Sequence, residues 1–121
     1  PPAFPPGSAY LYSNPAYFLL GKIVELVTEE SYATTIKKSI FDRLNMKQSG
    51  VATGIETIVP YVQAYQWDDQ GAYRTQTTKN MALFGAGAAI YTTAEDLYRF
   101  DTALYSDKLL SDTNKKRIFN P

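Results

Sequence analysis

The sequence predicts a mainly α fold carrying one small β-hairpin, built as a single unit over residues 1–121. Three observations support this. Apolar residues recur at helical spacing over Pro15 to Thr28 and again over Ser31 to Arg43; two aromatic and β-branched runs flank Asp68-Asp69-Gln70-Gly71; and Thr93-Ala94-Glu95-Asp96 reads as the opening of a further helix.

Residues 1–13 hold four of the seven prolines. Proline fixes φ and removes a backbone donor, so an extended lead-in is expected there. In the first helix Ala16, Leu20, Ile23 and Val27 form the stripe expected to be buried, with Phe18, Lys22, Glu25 and Glu29 opposite. Pro15 suits the first helical position and Asn14 the N-cap. The second helix places Tyr32, Ile36, Ile40 and then Leu44 on one stripe, with Lys37 and Lys38 outward.

Asn45 to Pro60 contains Gly50, Gly54 and scattered threonines and reads as an irregular loop, with a short strand near Ile58. Val62 to Trp67 and Ala72 to Thr77 are the two strands of the hairpin. Met81 to Ile90 is rich in small residues, and Gly85-Ala86-Gly87 marks a turn or a close backbone approach. Thr93 and Asp96 have the spacing of a capping box for a helix reaching about Tyr105, with Leu97, Phe100, Ala103 and Leu104 inward. Ser111 is placed to cap a last helix over Asp112 to Phe119.

With 121 residues, 45% of them apolar, the chain can bury one core. Twelve basic residues balance twelve acidic ones without blocks of either sign, which argues against a nucleic-acid or anionic-membrane partner. No apolar run approaches the roughly 18–20 residues that span a bilayer. The start has neither an initiator Met nor a basic n-region and reads as an internal cut in a longer protein. With neither His nor Cys, a metal site would need carboxylates alone, and neither metal nor cofactor is expected.

The chemistry points to Tyr12-Ser13-Asn14 at the head of the first helix, where a phenol and a carboxamide two residues apart can face one cleft. Each residue also has a plainer explanation. Tyr12 is one of ten tyrosines, which are usually half-buried, and Asn14 is accounted for as an N-cap. Ser13 has no Lys or His three or four residues away, and a serine without a base is inert. The Thr-x-x-Lys spacings within Thr34 to Lys38 lie mid-helix on a solvated face, and Gly85-Ala86-Gly87 lacks the setting of a phosphate cradle.

Taken in order, Phe4 to Gly7, Tyr10 to Asn14, Tyr17 to Glu25, Ile40 to Met46 and Gly87 to Asp96 resemble the serine β-lactamase and penicillin-binding-protein-like family. The likeness is greatest to class C enzymes, D-alanyl-D-alanine carboxypeptidases and related esterases. It implies that the chain is a helical subdomain of that fold, an internal part of a larger serine hydrolase. Such enzymes attack an amide or ester carbonyl with the serine of a Ser-x-x-Lys motif, which is absent here.

On motif position the resemblance makes Tyr12 the proton-shuttling tyrosine and Asn14 the residue that hydrogen-bonds substrate. A phenol with pKa near 10 needs neighbouring cations to act as a base at neutral pH, and the family supplies them as lysines on its other motifs. The chain alone is therefore expected to be silent. Its implied partners are the remaining α/β part of the parent and a small-molecule or peptidoglycan-peptide substrate; uncovered apolar surface also makes self-association an expectation. An exported protein working near the cell envelope is implied as well.

Two positions depart from the family pattern: Glu29-Glu30, and Asn45 in Arg43-Leu44-Asn45-Met46, both standing where the family usually has Gly. Asn tolerates the left-handed conformation and is expected to replace Gly there. The alternative reading is a non-catalytic module whose ten tyrosines, six phenylalanines and one tryptophan bind glycan or peptide.

Overall fold

The computed structural model describes residues 2–54, 62–76 and 80–119; the strand expected near Ile58 and the end of the hairpin at Thr77 lie outside these. Helix α1 runs Asn14–Thr28, and its N-cap is Ser13 rather than Asn14. Ser13 is extended at φ −144°, and its hydroxyl accepts from the Ala16 amide at 3.3 Å, satisfying one orphan donor of the first turn. Among the described residues the lead-in before it holds no helix or strand, and a turn spans Pro5 to Ser8. At the other end Glu29 sits at φ 56°, a left-handed C-cap that a glycine fills more easily.

The face that α1 turns to the rest of the chain is the reverse of the expected one. Gly21 is its one buried residue, with Val24 and Glu25 half-buried, whereas Leu20, Ile23 and Val27 are 53%, 54% and 78% exposed. The physical reason is close approach. A Cβ on Gly21 would lie 2.6 Å from the Ala86 Cβ, so only glycine lets the two backbones meet. Beside this contact the Glu25 carboxylate accepts from Lys22 at 2.7 Å and from the Tyr32 amide at 3.0 Å, which fixes the next helix.

Helix α2 (Tyr32–Ile36) opens at Ser31, whose hydroxyl accepts from the Thr34 amide at 3.2 Å. It widens over Lys37–Phe41 into a turn with i→i+5 bonds, Asp42 N to Lys37 O at 2.9 Å among them. That widening turns Phe41 inward. Phe41, Leu44 and Met46 pack with Ala103, flanked by Ile36, Ile40, Val51, Phe100 and Leu109. Asn45 adopts φ 56°, as expected of a residue replacing glycine.

The Asn45 to Pro60 segment is not wholly irregular: β1 (Gly50–Val51) pairs antiparallel with β4 (Ile90–Tyr91). Two residues carry no readable alternation, and the partner strand is distant in sequence, so periodicity could not reveal the pair. Strands β2 (Tyr65–Trp67) and β3 (Tyr73–Thr75) form the expected hairpin in shortened form, in register Tyr65↔Thr75 and Trp67↔Tyr73. Asp68 organises its turn, one oxygen accepting from the amides of Gln70 and Ala72 and the other from Arg74. These contacts, the Arg74 bond foremost, hold the Asp68 carboxyl below the ordinary range.

A 3₁₀ segment, Met81–Gly87, is kinked at Gly85 (φ 47°, ψ −134°), a conformation open essentially to glycine. Helix α3 (Ala94–Leu104) starts at Thr93, whose hydroxyl accepts from the Asp96 amide at 3.3 Å. Of its expected inward residues, Ala103 is buried and Phe100 and Leu104 half-buried, but Leu97 is 53% exposed. Helix α4 (Asp112–Phe119) follows Ser111, whose hydroxyl accepts from the Asn114 amide at 3.4 Å. Tyr105 and Phe119 stack with ring centroids 5.9 Å apart. Among the described residues no helix is long and apolar enough to cross a membrane.

Candidate functional site

Because Ser13 caps α1, the residues on either side of it are left without a structural task. The Tyr12 ring is 65% exposed, and among the described residues neither its hydroxyl nor the Asn14 carboxamide has a hydrogen-bond partner. The plainer account of Asn14 as the cap is thereby removed. A residue in the first helical turn whose polar group is unused there is available to a ligand.

Asn14 lines a cavity of about 530 Å³ with Pro15, Phe18, Leu83, Phe84, Gly87 and Ala88. Its lining residues are apolar apart from Asn14, and its size lies within the range of small-molecule sites, about 300–1,000 Å³. Gly87 in its wall lies close to the head of α1, where an added Cβ would be 3.7 Å from the Asn14 carbonyl oxygen, and at the neighbouring kink a Cβ on Gly85 would lie 3.0 Å from the Phe18 ring. The sequence marked Gly85-Ala86-Gly87 as a turn but gave no sign that it faces Asn14. What brings them together is the Gly21 to Ala86 contact between α1 and the 3₁₀ segment. Leu83 and Phe84 had no sequence signal of their own.

A second polar cluster lies elsewhere. Asp96 is 1% exposed, and its carboxylate accepts from the Gln48 amide and the Ser49 hydroxyl at 2.8 Å each and from Arg99 at 2.5 Å. Burial opposes its charge, but the bonds from Ser49, Gln48 and Arg99 outweigh burial and hold its pKa below the ordinary carboxylate value. The expected capping box is therefore half made: Thr93 caps α3, while the Asp96 side chain turns away to tie down residues 48 and 49. With the carboxylate buried and both of its oxygens engaged inside the chain, this cluster is structural.

Asn14 lines the apolar cavity, whereas the exposed Tyr12, two residues earlier, is not among the lining residues; the chain has no His or Cys and Ser13 has no partner base. The site can position a substrate and pass a proton, and it cannot by itself form a covalent intermediate. The chain is 32% identical to penicillin-binding protein 4* of Bacillus subtilis (strain 168) over 98% of its own length and 29% of that protein's. It superposes with a TM-score of 0.83 on a penicillin-binding protein from Bacillus halodurans, at 27% identity, covering all of this chain and 38% of that one. A D-stereospecific amidohydrolase from Streptomyces sp. gives a TM-score of 0.86 at 26% identity, over 98% of this chain and 36% of the other. The chain thus spans less than two-fifths of each of these three proteins. The Beta-lactamase family model matches residues 1–120, and the chain belongs to that family of serine hydrolases, of whose fold it forms a helical part.

Proposed function

We propose that this chain supplies one wall of the active site of a serine hydrolase that cleaves amide or ester bonds through an acyl-serine intermediate. The nucleophilic serine and its lysines belong to polypeptide outside these 121 residues, so the chain alone is inactive. Tyr12 takes the proton of the serine hydroxyl as the serine oxygen bonds to the carbonyl carbon. It returns that proton to the leaving nitrogen or oxygen as the old bond breaks, and water then cleaves the acyl ester by the same steps in reverse. Asn14 donates to or accepts from the substrate's amide and sets its orientation in the apolar cavity.

The observation that carries this reading is the division of labour at the helix start: Ser13 caps α1 and leaves Tyr12 and Asn14 exposed with unused polar groups. The D-stereospecific amidohydrolase among the structural neighbours favours small amides as the first substrates to try. A cell-envelope setting is part of the proposal, in keeping with the penicillin-binding proteins among the relatives.

The test is kinetic, in the complete protein. Tyr12→Phe keeps the ring and removes the phenol, and is expected to lower kcat by roughly 10²- to 10⁴-fold. Asn14→Ala is expected to act mainly on KM. Turnover unchanged in Tyr12→Phe would defeat the reading. It would favour instead a binding module, for which the exposed aromatic face of the hairpin, Tyr65, Trp67 and Tyr73 on one side of β2 and β3, is the supporting observation.

A further inference from the structure

Just past the wide turn of Lys37–Phe41, the chain and the second half of α3 border a cavity of about 400 Å³. It shares no lining residue with the cavity beside Asn14. Arg43, Arg99 and Lys108 line it, and among its described lining residues none is acidic, in a chain whose twelve basic and twelve acidic residues balance. The three cations differ in what already holds them. The Arg99 guanidinium donates to the buried Asp96 carboxylate and to Glu95 at 2.5 Å each, so its charge is met within the chain. Among the described residues neither Arg43 nor Lys108 forms an ion pair, whereas Lys22, Lys37, Lys38, Arg74 and Lys115 each reach a carboxylate. Two uncompensated positive charges are left at one pocket.

These charges are held in place. Arg43 donates from one guanidinium nitrogen to the Lys108 backbone carbonyl at 2.5 Å, which fixes the loop after α3 against the Arg43-Leu44 segment. Most of its five N–H donors remain open. Beside them, the Tyr98 phenol, on a residue 71% exposed, and the Asn45 carboxamide have no hydrogen-bond partner among the described residues, so both can donate. Thr102 is set the other way. Its hydroxyl donates to the Tyr98 carbonyl at 2.9 Å and keeps its lone pairs for a donor.

Charge selects the ligand. A phosphate monoester carries about −1.5 to −2 charges near neutral pH and three strong acceptor oxygens, which match two uncompensated cations and two neutral donors; a carboxylate brings a single charge. The guanidinium fork bonds such oxygens in pairs, and the ammonium acts as a point charge. The cavity is larger than a phosphate alone needs, with buried Leu44 and Ala103 in its wall and the Thr102 acceptor suited to a ligand hydroxyl. We propose that this pocket binds a small hydroxylated organic phosphate of the sugar-phosphate type, with Arg43 and Lys108 on the phosphate and Thr102 accepting from a hydroxyl. This binding does not depend on Tyr12, Asn14 or acyl-serine chemistry.

The test is titration calorimetry on the complete protein, with glucose 6-phosphate, inorganic phosphate and glucose as probes. Glucose 6-phosphate is expected to bind, inorganic phosphate to bind more weakly, and glucose to give no signal. Lys108→Gln keeps the backbone carbonyl that Arg43 holds, and is expected to weaken sugar-phosphate binding by roughly 10-fold or more with the thermal midpoint unchanged. Arg43→Gln is expected to weaken it further, since it removes a contact and loosens the loop. Lys47→Gln removes a cation that does not line the pocket and is expected to bind as the wild type does. A wild type that does not bind glucose 6-phosphate, binding undiminished in Lys108→Gln, or an equal loss in Lys47→Gln would overturn the proposal. Inorganic phosphate held as tightly as the sugar phosphate would overturn it too, as an adventitious ion only. So would stronger Lys108-dependent binding to phosphatidic acid vesicles, which would assign the pocket to a lipid headgroup.

Discussion

The backbone amide of Gln48 donates to the carboxylate of Asp96 at 2.8 Å, joining the turn after the Phe41 core to the first turn of α3. The Ser49 hydroxyl and Arg99 complete the shell around that carboxylate. The bond holds residues 48–49 at the entry to β1, whose partner β4 lies just before α3. One buried anion thus sets the register between two segments that are remote in sequence.

Asp96→Asn is expected to destabilise the fold by about 1–3 kcal/mol, because it removes the charge that Arg99 and the Ser49 and Gln48 donors address. Stability should also depend on acidity through this residue. Its folded pKa is depressed below the ordinary value of 3.8, so its contribution is complete above that value and is lost as pH falls through the lower folded pKa. Urea midpoints measured from neutral pH downward should show this loss in the wild type and a weaker one in Asp96→Asn. Identical acid profiles would contradict the assignment.

Gly21→Ala is expected to weaken the fold even though alanine is the better helix former. A helical Gly→Ala exchange ordinarily gains up to about 1 kcal/mol. Here the new methyl meets the Ala86 Cβ at 2.6 Å, and neither group can swing aside. Forced separation of α1 from the 3₁₀ segment costs about 1–3 kcal/mol and also moves Gly87 relative to Asn14. Thermal denaturation showing a gain in Gly21→Ala would mean that the contact yields.

Glu29→Gly should stabilise the chain by roughly 1 kcal/mol, since a non-glycine residue at φ 56° carries left-handed strain. Asn45→Gly, at the same φ, should gain less, because asparagine tolerates that region. A pair of denaturation curves in which Asn45→Gly gains more would reverse the ranking.

Ser13→Ala and Asn14→Ala separate capping from substrate binding. Loss of the Ser13 hydroxyl is expected to cost about 1 kcal/mol of stability, measured as an earlier thermal midpoint. Asn14→Ala should leave the midpoint nearly unchanged and act on substrate affinity. The opposite pattern would restore Asn14 to a structural role.

Where the sequence was legible, the physics was local. Helix starts at Ser31, Thr93 and Ser111 follow from side chains that reach amides three residues on, and the Asp68 turn follows from one carboxylate reaching the amide four residues on. The Tyr12 and Asn14 pair was visible as a motif; that Ser13 frees both of them was not. Asn45 showed its left-handed backbone through residue type alone.

The amino-acid sequence by itself determined helices α1, α2, α3 and α4, the caps at Thr93 and Ser111 and the family to which the chain belongs, because these rest on spacing along the backbone, on neighbouring groups and on the order of short motifs. Only the tertiary structure decided which side of α1 turns inward, the pairing of β1 with β4, the cavity beside Asn14 and the destination of the Asp96 carboxylate. Each depends on a contact between remote residues. Periodicity reports that a helix has two unlike faces, but a glycine that lets backbones touch can outweigh the apolar stripe in choosing the inner one.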